Sequence, residues 1–72
     1  MLQRKLGQRI AELRRQRKLT QEQLAEALGC SVEFISLVER GVNSPTVAGL
    51  EKFAKVLKVQ VNELFVFEEK KG

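Results

Sequence analysis

Residues 20–39, TQEQLAEALGCSVEFISLVE, decide how this chain folds. Thr20 is a good N-cap, and Gln23 three residues later completes a capping box, so a helix is predicted to begin here. Gly29 can adopt the left-handed conformation that ends such a helix without a Cβ penalty. Between these two signals the apolar residues recur at helical spacing: Leu24, Ala25 and Leu28.

The second half of the stretch predicts another helix directly after the turn. Ser31 is a second N-cap, and Ile35 and Val38 turn an apolar edge back onto the first helix. Ala25 is small where the two helices must cross closely. A helix, a glycine turn and a helix in this order form a helix-turn-helix, a motif that places its second helix in the major groove of DNA.

Composition and length set the limits of the whole chain. Its 72 residues, 43% of them hydrophobic and one of them proline, predict one small domain over residues 1–72. No apolar run approaches the roughly 20 residues that cross a bilayer. The first ten residues, MLQRKLGQRI, lack the apolar core of a signal peptide, so we expect a cytoplasmic protein with no membrane partner.

The reactive side chains are few. Cys30 is the one cysteine, which excludes an internal disulfide, and there is no histidine, tyrosine or tryptophan. This composition argues against an enzyme, a metal site, a cofactor or a small-molecule ligand. At the turn of the motif, Cys30 is predicted to be a small, half-buried core thiol.

Positive charge is concentrated at the start of the chain. Residues 1–18 have a formal charge of +6, which leaves −2 for residues 19–72. A basic first helix attracts phosphates regardless of sequence. The alternative is an ordinary solvated face with basic residues near a helix C-terminus. Beside a helix-turn-helix, the cluster favours DNA.

The pattern along the chain predicts a compact all-α bundle of five helices. The first covers residues 2–17, the second and third lie within residues 20–39, and Thr46 caps a fourth. A short fifth helix is predicted over residues 61–65, with Gln60 as a weak cap. Only the apolar run at residues 64–67 leaves room for a strand. The core-facing positions of the fourth helix are Leu50, Phe53, Ala54 and Leu57.

Residues 6–65 resemble the phage repressor/Cro-type helix-turn-helix family, also called the xenobiotic-response-element (XRE) family. The segments that carry the resemblance are LTQEQLA, GCSVEFIS, VERG, SPT and VNELF, in order and at matching spacings. The resemblance covers about five-sixths of the chain. It implies a five-helix bundle of the lambda-repressor-like type that binds a palindromic operator in double-stranded DNA as a homodimer.

The resemblance also implies which residues contact DNA. On the recognition helix, residues 31–39, it places Val32, Glu33 and Leu37 at base-reading positions. Glu33 can accept a hydrogen bond from a cytosine amino group, and the two apolar residues can pack on a thymine methyl. The alternative for Glu33 is an acid favoured by the helix dipole alone. The complete predicted set is Gln21, Ser31, Val32, Glu33, Phe34, Ser36, Leu37, Arg40, Asn43 and Ser44.

Several members of this set are expected to contact phosphates or the protein core and not base edges. The family commonly uses the residue at Gln21 to hold a phosphate and to brace the recognition helix, whereas by itself it is an ordinary first-turn residue. Phe34 is expected to cover the edge of the motif by packing. Arg40, Asn43 and Ser44 follow the recognition helix and are predicted phosphate ligands, which set position without reading sequence.

Other residues are assigned to the fold or left with two roles. Family resemblance predicts a salt bridge between Arg14 and Glu39 that ties the first helix to the third. Lys58 stands where the family often has a helix-ending glycine. Gly49 is interpreted as a point where another part of the structure packs closely against the fourth helix, with a second subunit as one candidate. Two roles, phosphate contact and free solvation, stay open for Arg15, Arg17 and Lys18.

The tail and the acidic motif keep alternatives open. Dimerisation is predicted through the last two helices and a tail over residues 60–72, where residues 64–67 are apolar; the alternative is packing within the chain. Residues 19–39 contain four acidic and no basic residues. This acidic surface favours a competing function. In that function the chain is a protein-interaction module, either antitoxin-like or an adaptor, that retains the fold without specific DNA binding.

Overall fold

In a computed structural model, which describes residues 2–67, every regular element is helical. No strand occurs within that range, so the predicted all-α class is confirmed. None of the helices in residues 2–67 has the length and apolar character that crossing a lipid bilayer requires. The elements are α1 (Leu2–Gln16), α2 (Gln21–Leu28), α3 (Val32–Glu39), α4 (Val47–Leu57) and a 3-10 helix (Val61–Phe65).

The capping residues predicted in the helix-turn-helix make the expected bonds. The Gln23 N–H donates to Thr20 Oγ1 at 3.0 Å, and the Thr20 N–H donates to Gln23 Oε1 at 2.8 Å. Gly29 ends α2 in the left-handed region, with φ 74° and ψ 33°. Ser31 then caps α3, because its hydroxyl accepts the N–H of Phe34 at 3.1 Å. Local signals therefore place both helices and the turn between them.

One core is shared by all five elements. α1 packs on α3, α4 and the 3-10 helix, α2 packs on α3 and α4, and the 3-10 helix adds one fully buried side chain. Burial of these side chains is the main force that holds the short helices in place, because helices of eight residues are marginal alone. The largest fully buried side chains are Phe53, Ile10, Leu24, Ile35, Leu57, Leu64 and Val38.

The fifth predicted helix is a 3-10 helix, which corrects the expected count of five α-helices. Gln60 makes no side-chain capping bond, and its carbonyl accepts the N–H of Glu63, three residues later, at 2.9 Å. Short i to i+3 turns of this kind are the usual form for so few residues. Leu64 is fully buried in the chain's own core. Its burial agrees with the alternative of packing within the chain, and residues 64–67 form no strand.

The end of α4 is built without glycine. Lys58 itself takes the left-handed conformation, with φ 60° and ψ 44°. Arg17 binds this helix end: its Nε donates to the Leu57 carbonyl at 2.8 Å and its Nη2 to the Lys58 carbonyl at 3.1 Å. Arg17 is thus hydrogen-bonded to backbone carbonyls and is not freely solvated, while its contact with a phosphate stays a prediction.

Candidate nucleic-acid interface

The two faces of α3 differ sharply in exposure. Ile35 and Val38 on the inner face are 0% and 1% exposed, whereas Val32 at the start of the helix is 38% exposed. Ser31 and Glu33 are exposed beside Val32. The helix is therefore held by its inner face, while the side chains of its first turn are open to solvent.

The recognition-helix residues of the predicted DNA-contacting set do not all share this exposure. Val32 and Glu33 are exposed, but Ser36 and Leu37 are half-buried. The Ser31 hydroxyl already accepts a backbone N–H as the helix cap. Among the predicted base-reading residues, Val32 and Glu33 thus have the freest side chains.

An ion pair holds the C-terminal end of α3 against α1. Arg14 Nε lies 2.7 Å from Glu39 Oε2, and Arg14 Nη2 donates to Glu39 Oε1 at 3.2 Å. The side chains of Arg14 and Glu39 are only 12% and 7% exposed. Arg14 Nη1 also donates to the Leu19 carbonyl at 2.8 Å. The pair predicted for these two residues is present, with the fork geometry that strengthens arginine–carboxylate bonds.

Gln21 joins the same network from the start of α2. Its Nε2 donates to Glu39 Oε1 at 3.0 Å. A side-chain amide has a second N–H and a carbonyl oxygen, so Gln21 keeps polar capacity beyond this bond. The contact shows the bracing half of the predicted role, since it ties α2 to the end of α3.

The close packing of the α1 backbone on the α3 backbone was not predicted from the sequence. A Cβ at Gly7 would overlap the Val38 carbonyl oxygen and would lie 2.8 Å from that of Glu39. The available signal was a glycine inside a strongly helical segment, where it costs about 1 kcal/mol relative to alanine. Gly7 lets α1 approach the end of α3 closely enough for the ion pair to form.

Two half-buried residues of the motif contribute to packing. Phe34 packs against the core, as expected for a residue that covers the edge of the motif. Cys30 also packs against the core, and burial raises the pKa of its thiol. A raised pKa reduces the thiolate fraction, so Cys30 lacks the activated form that reactive cysteines need.

The basic residues of α1 divide into two groups. Arg9 donates to the Glu63 carbonyl at 2.9 Å and to Glu12 Oε1 at 2.8 Å, which binds α1 to the 3-10 helix. Together with the two arginines already described, it fastens α1 to three other elements. The exposed basic residues of the first eighteen are Arg4, Lys5, Arg15, Lys18 and the partly hydrogen-bonded Arg17.

The loop after α3 presents the remaining predicted phosphate ligands. Arg40, Asn43 and Ser44 are all exposed. The loop is anchored by the Leu37 carbonyl, which accepts the N–H groups of Val42 at 2.9 Å and Asn43 at 3.3 Å. The loop therefore begins at a defined position beside α3. Within residues 2–67, no three His, Cys, Asp or Glu side chains are arranged to hold a metal ion.

Comparison with known proteins agrees with the helix-turn-helix that the geometry shows. Residues 10–64 match the family HTH_3, described as helix-turn-helix. The chain is 41% identical over 59 residues to the immunity repressor protein of Bacillus phage phi105. That alignment covers 82% of this chain and 41% of the repressor, so the chain spans less than half of that protein.

Two solved structures resemble the whole bundle. The restriction-modification controller protein C.AhdI from Aeromonas hydrophila is 37% identical, with a TM-score of 0.82 over 86% of this chain and 94% of that one. SinR, a master regulator for biofilm formation solved in complex with DNA, is 35% identical. Its TM-score is 0.76, over 82% of this chain and 95% of that one.

Proposed function

The chain belongs to the helix-turn-helix family, in its XRE group of transcriptional regulators, and on that premise we propose that it binds a specific operator in double-stranded DNA. The observation that carries the proposal is the exposure of the first turn of α3, with Val32 38% exposed beside Ile35 at 0%. A helix presented in this way can enter the major groove, about 12 Å wide, with its N-terminal residues against base edges.

We assign sequence reading to Val32 and Glu33, with Leu37 at the side. Val32 would pack on a thymine methyl, and the Glu33 carboxylate would accept a hydrogen bond from a cytosine amino group. Between Ser31 and Glu39 there is no lysine or arginine. The operator should therefore depend little on the common arginine–guanine contact within this helix.

Phosphate contacts would set the position of the helix in the groove. Gln21, already bonded to Glu39, lies at the start of α2, where backbone N–H groups also favour an anion. Arg40, Asn43 and Ser44 would hold the backbone at the C-terminal end of α3 and in the loop after it. The similarity of this fold to SinR, which was solved in complex with DNA, supports DNA binding.

We further propose that the protein acts as a cytoplasmic, non-enzymatic regulator and binds a palindromic operator as a homodimer. Apolar side chains remain open at the end of the described chain: Val61, Phe65 and Val66 are 39%, 37% and 53% exposed. Phe65 and Phe67 stack edge to face with centroids 6.4 Å apart. A second copy covering this surface would pair two recognition helices by two-fold symmetry. Residues 68–72 of the predicted tail lie outside the described residues.

Selection from a random duplex pool tests the proposal. A homodimeric regulator should enrich an inverted repeat whose half-sites are about 10 bp apart, one turn of DNA. Enrichment of a single half-site would contradict the homodimer and leave specific binding standing. A pool that stays random would contradict specific binding itself.

The competing function, a protein-interaction module, is favoured by one observation. Glu22, Glu26 and Glu33 are exposed on the motif that should approach phosphate. The two functions can be separated by measuring the affinity of the protein for a random-sequence duplex at increasing salt concentration. A DNA-binding regulator loses affinity steeply as salt rises, because neutralised phosphates release counterions. An interaction module would show no binding even at low salt.

A further inference from the structure

A groove of about 370 Å³ lies between α1 and α3, beside the start of α2. Three of its lining residues, Gln21, Ser36 and Arg40, already belong to the predicted DNA-contacting set, so the groove continues the proposed interface. The others come from the first helix or from the ion pair. Its lining is Gln8, Ala11, Arg14, Arg15, Gln21, Ser36, Glu39 and Arg40.

The charge of this groove is positive. Three arginines and one glutamate line it, which is a formal charge of +2. Arg14 and Glu39 neutralise each other through their ion pair at 2.7 Å. The two remaining cations, Arg15 and Arg40, are exposed and have no ion-pair partner among residues 2–67.

The α1 wall of the groove follows from helical spacing. Gln8, Ala11 and Arg15 occupy positions i, i+3 and i+7, which share one face of a helix. Ala11 is 6% exposed and small, so it forms a floor between the two longer side chains. Gln8 and Arg15 are exposed on either side of it. The first helix therefore presents an amide and a guanidinium to whatever enters the groove.

We propose that this groove binds a phosphodiester group of the DNA backbone, with donors from both walls. Arg15 and Gln8 donate from α1, and Arg40 and Ser36 donate from α3. The guanidinium fork matches the paired oxygens of a phosphate. This inference rests on the proposed DNA binding and extends it, because it makes α1 a part of the interface that contacts DNA independently of sequence.

A charge-matched pair of variants tests the contact. Arg15→Gln removes one positive charge at the groove, and Lys55→Gln removes one from an exposed position on α4 that does not line it. Affinity for a random-sequence duplex is measured from low to moderate salt. Loss of one phosphate contact reduces the steepness with which log affinity falls against log salt by about 0.9. We expect that decrease for Arg15→Gln and a clearly smaller one for Lys55→Gln.

Interference by phosphate ethylation locates the contact on a selected operator. Wild-type protein should fail to bind when one particular phosphate in each half-site is ethylated. Arg15→Gln and the uncharged change Gln8→Ala should both lose sensitivity at that same phosphate while they keep it at others.

The outcomes separate this inference from the proposed function. Equal slopes for Arg15→Gln and Lys55→Gln, or an unchanged ethylation pattern in both groove variants, overturn the groove contact while wild-type DNA binding stands. A wild-type protein that binds no duplex at low salt overturns the proposed function, and the groove contact with it.

Discussion

Glu39 is the residue on which three elements meet. Its two carboxylate oxygens accept hydrogen bonds from Arg14 on α1 and from Gln21 on α2, while Glu39 itself ends α3. Because its side chain is only 7% exposed, water cannot replace a lost partner fully. The arrangement positions the recognition helix relative to both of its neighbours.

Removal of the Arg14 side chain should therefore lower the free energy of unfolding far more than removal of an exposed charged side chain does. We expect Arg14→Ala to lower the free energy of unfolding by about 3 kcal/mol, because it leaves the Glu39 carboxylate buried without a cation. The control is Arg15→Ala, one residue away and exposed. Urea denaturation measures both, and a loss of about 1 kcal/mol or less for Arg14→Ala would mean that the pair behaves as an exposed one.

Gly7 is the second residue whose identity the packing requires. A Cβ at this position overlaps the carbonyl oxygen of Val38, and backbone atoms cannot move aside as a flexible side chain can. Gly7→Ala should destabilise the protein by about 1–3 kcal/mol despite the better helix propensity of alanine.

Gly49→Ala is the matched comparison for Gly7. Its new Cβ would lie 3.2 Å from Pro45 Cβ and 3.3 Å from Thr46 Oγ1, both side-chain atoms of its own helix start. The close approach interpreted for Gly49 is thus present within the chain. We expect a change below about 1 kcal/mol, because propensity and crowding oppose each other. Equal losses for the two variants in thermal unfolding would refute the steric argument.

At the scale of the element, the end of α4 combines a strained residue with a long-range cap. Lys58 holds φ 60°, a region that costs a residue with a Cβ about 1 kcal/mol or more. Arg17 offsets part of this cost, because its guanidinium donates to two carbonyls at the helix end. The helix therefore ends at the position where the family often has glycine, by different means.

Lys58→Gly should relieve this strain. We expect the free energy of unfolding to rise by about 1 kcal/mol, since glycine adopts the left-handed region freely. Lys55→Gly, inside the same helix, should lower it by about 1 kcal/mol. Chemical denaturation of the two variants gives the comparison, and a Lys58→Gly protein less stable than wild type would show that the lysine side chain itself contributes to the helix end.

The recognition helix allows a test in which binding changes and folding does not. Val32→Ala and Glu33→Gln alter exposed side chains, so both should fold normally and change the bases preferred in a half-site. Each base contact should account for about 1–3 kcal/mol of discrimination. Gln21→Ala, in contrast, should weaken all sites alike. Quantitative selection from a duplex pool gives the base preferences.

Glu22→Gln is the control for charge alone, because Glu22 is an exposed acid on α2. A preference shift of the same size in Glu22→Gln and Glu33→Gln would assign the effect to net charge. Unfolding of the Val32 and Glu33 variants would give these residues a structural role.

For the whole molecule, part of the positive charge is used to assemble the fold. Arg9 and Arg14 bind α1 to the 3-10 helix and to α3, and Arg17, directly after α1, binds the end of α4. Only part of the +6 charge of residues 1–18 is thus available to attract phosphates. This raises the importance of the exposed cations near α3, Arg15 and Arg40.

The proposed dimer also belongs to this scale. Val66 is 53% exposed at the end of the 3-10 helix, and Val42 is 60% exposed in the loop after α3. Val66→Glu should convert the dimer to a monomer, because a charge would be buried in the interface without a partner. Val42→Glu, outside the last two helices and the tail, should leave the dimer unchanged. Analytical ultracentrifugation measures both, and a wild-type protein that is monomeric at all concentrations would contradict the homodimer.

The sequence alone was sufficient where structure depends on neighbours in the chain. Thr20, Ser31 and Thr46 cap helices through residues three positions away, and Gly29 ends α2 through bonds within one turn. Such interactions are complete within four or five residues, so a pattern of residue types predicts them. The apolar spacing of the helices likewise predicted which faces are buried.

Tertiary structure decided the use of side chains whose partners are distant in sequence. Arg9 meets the Glu63 carbonyl 54 residues away, and Arg17 meets that of Leu57 40 residues away. A long cationic side chain looks the same in sequence whether it binds solvent, a phosphate or a carbonyl. Gly7 shows the same limit for shape, since only the docking of α1 on α3 brings the Val38 carbonyl against it. Short-range bonding thus determined the helices and the turn, and long-range packing decided which polar groups remain free to bind.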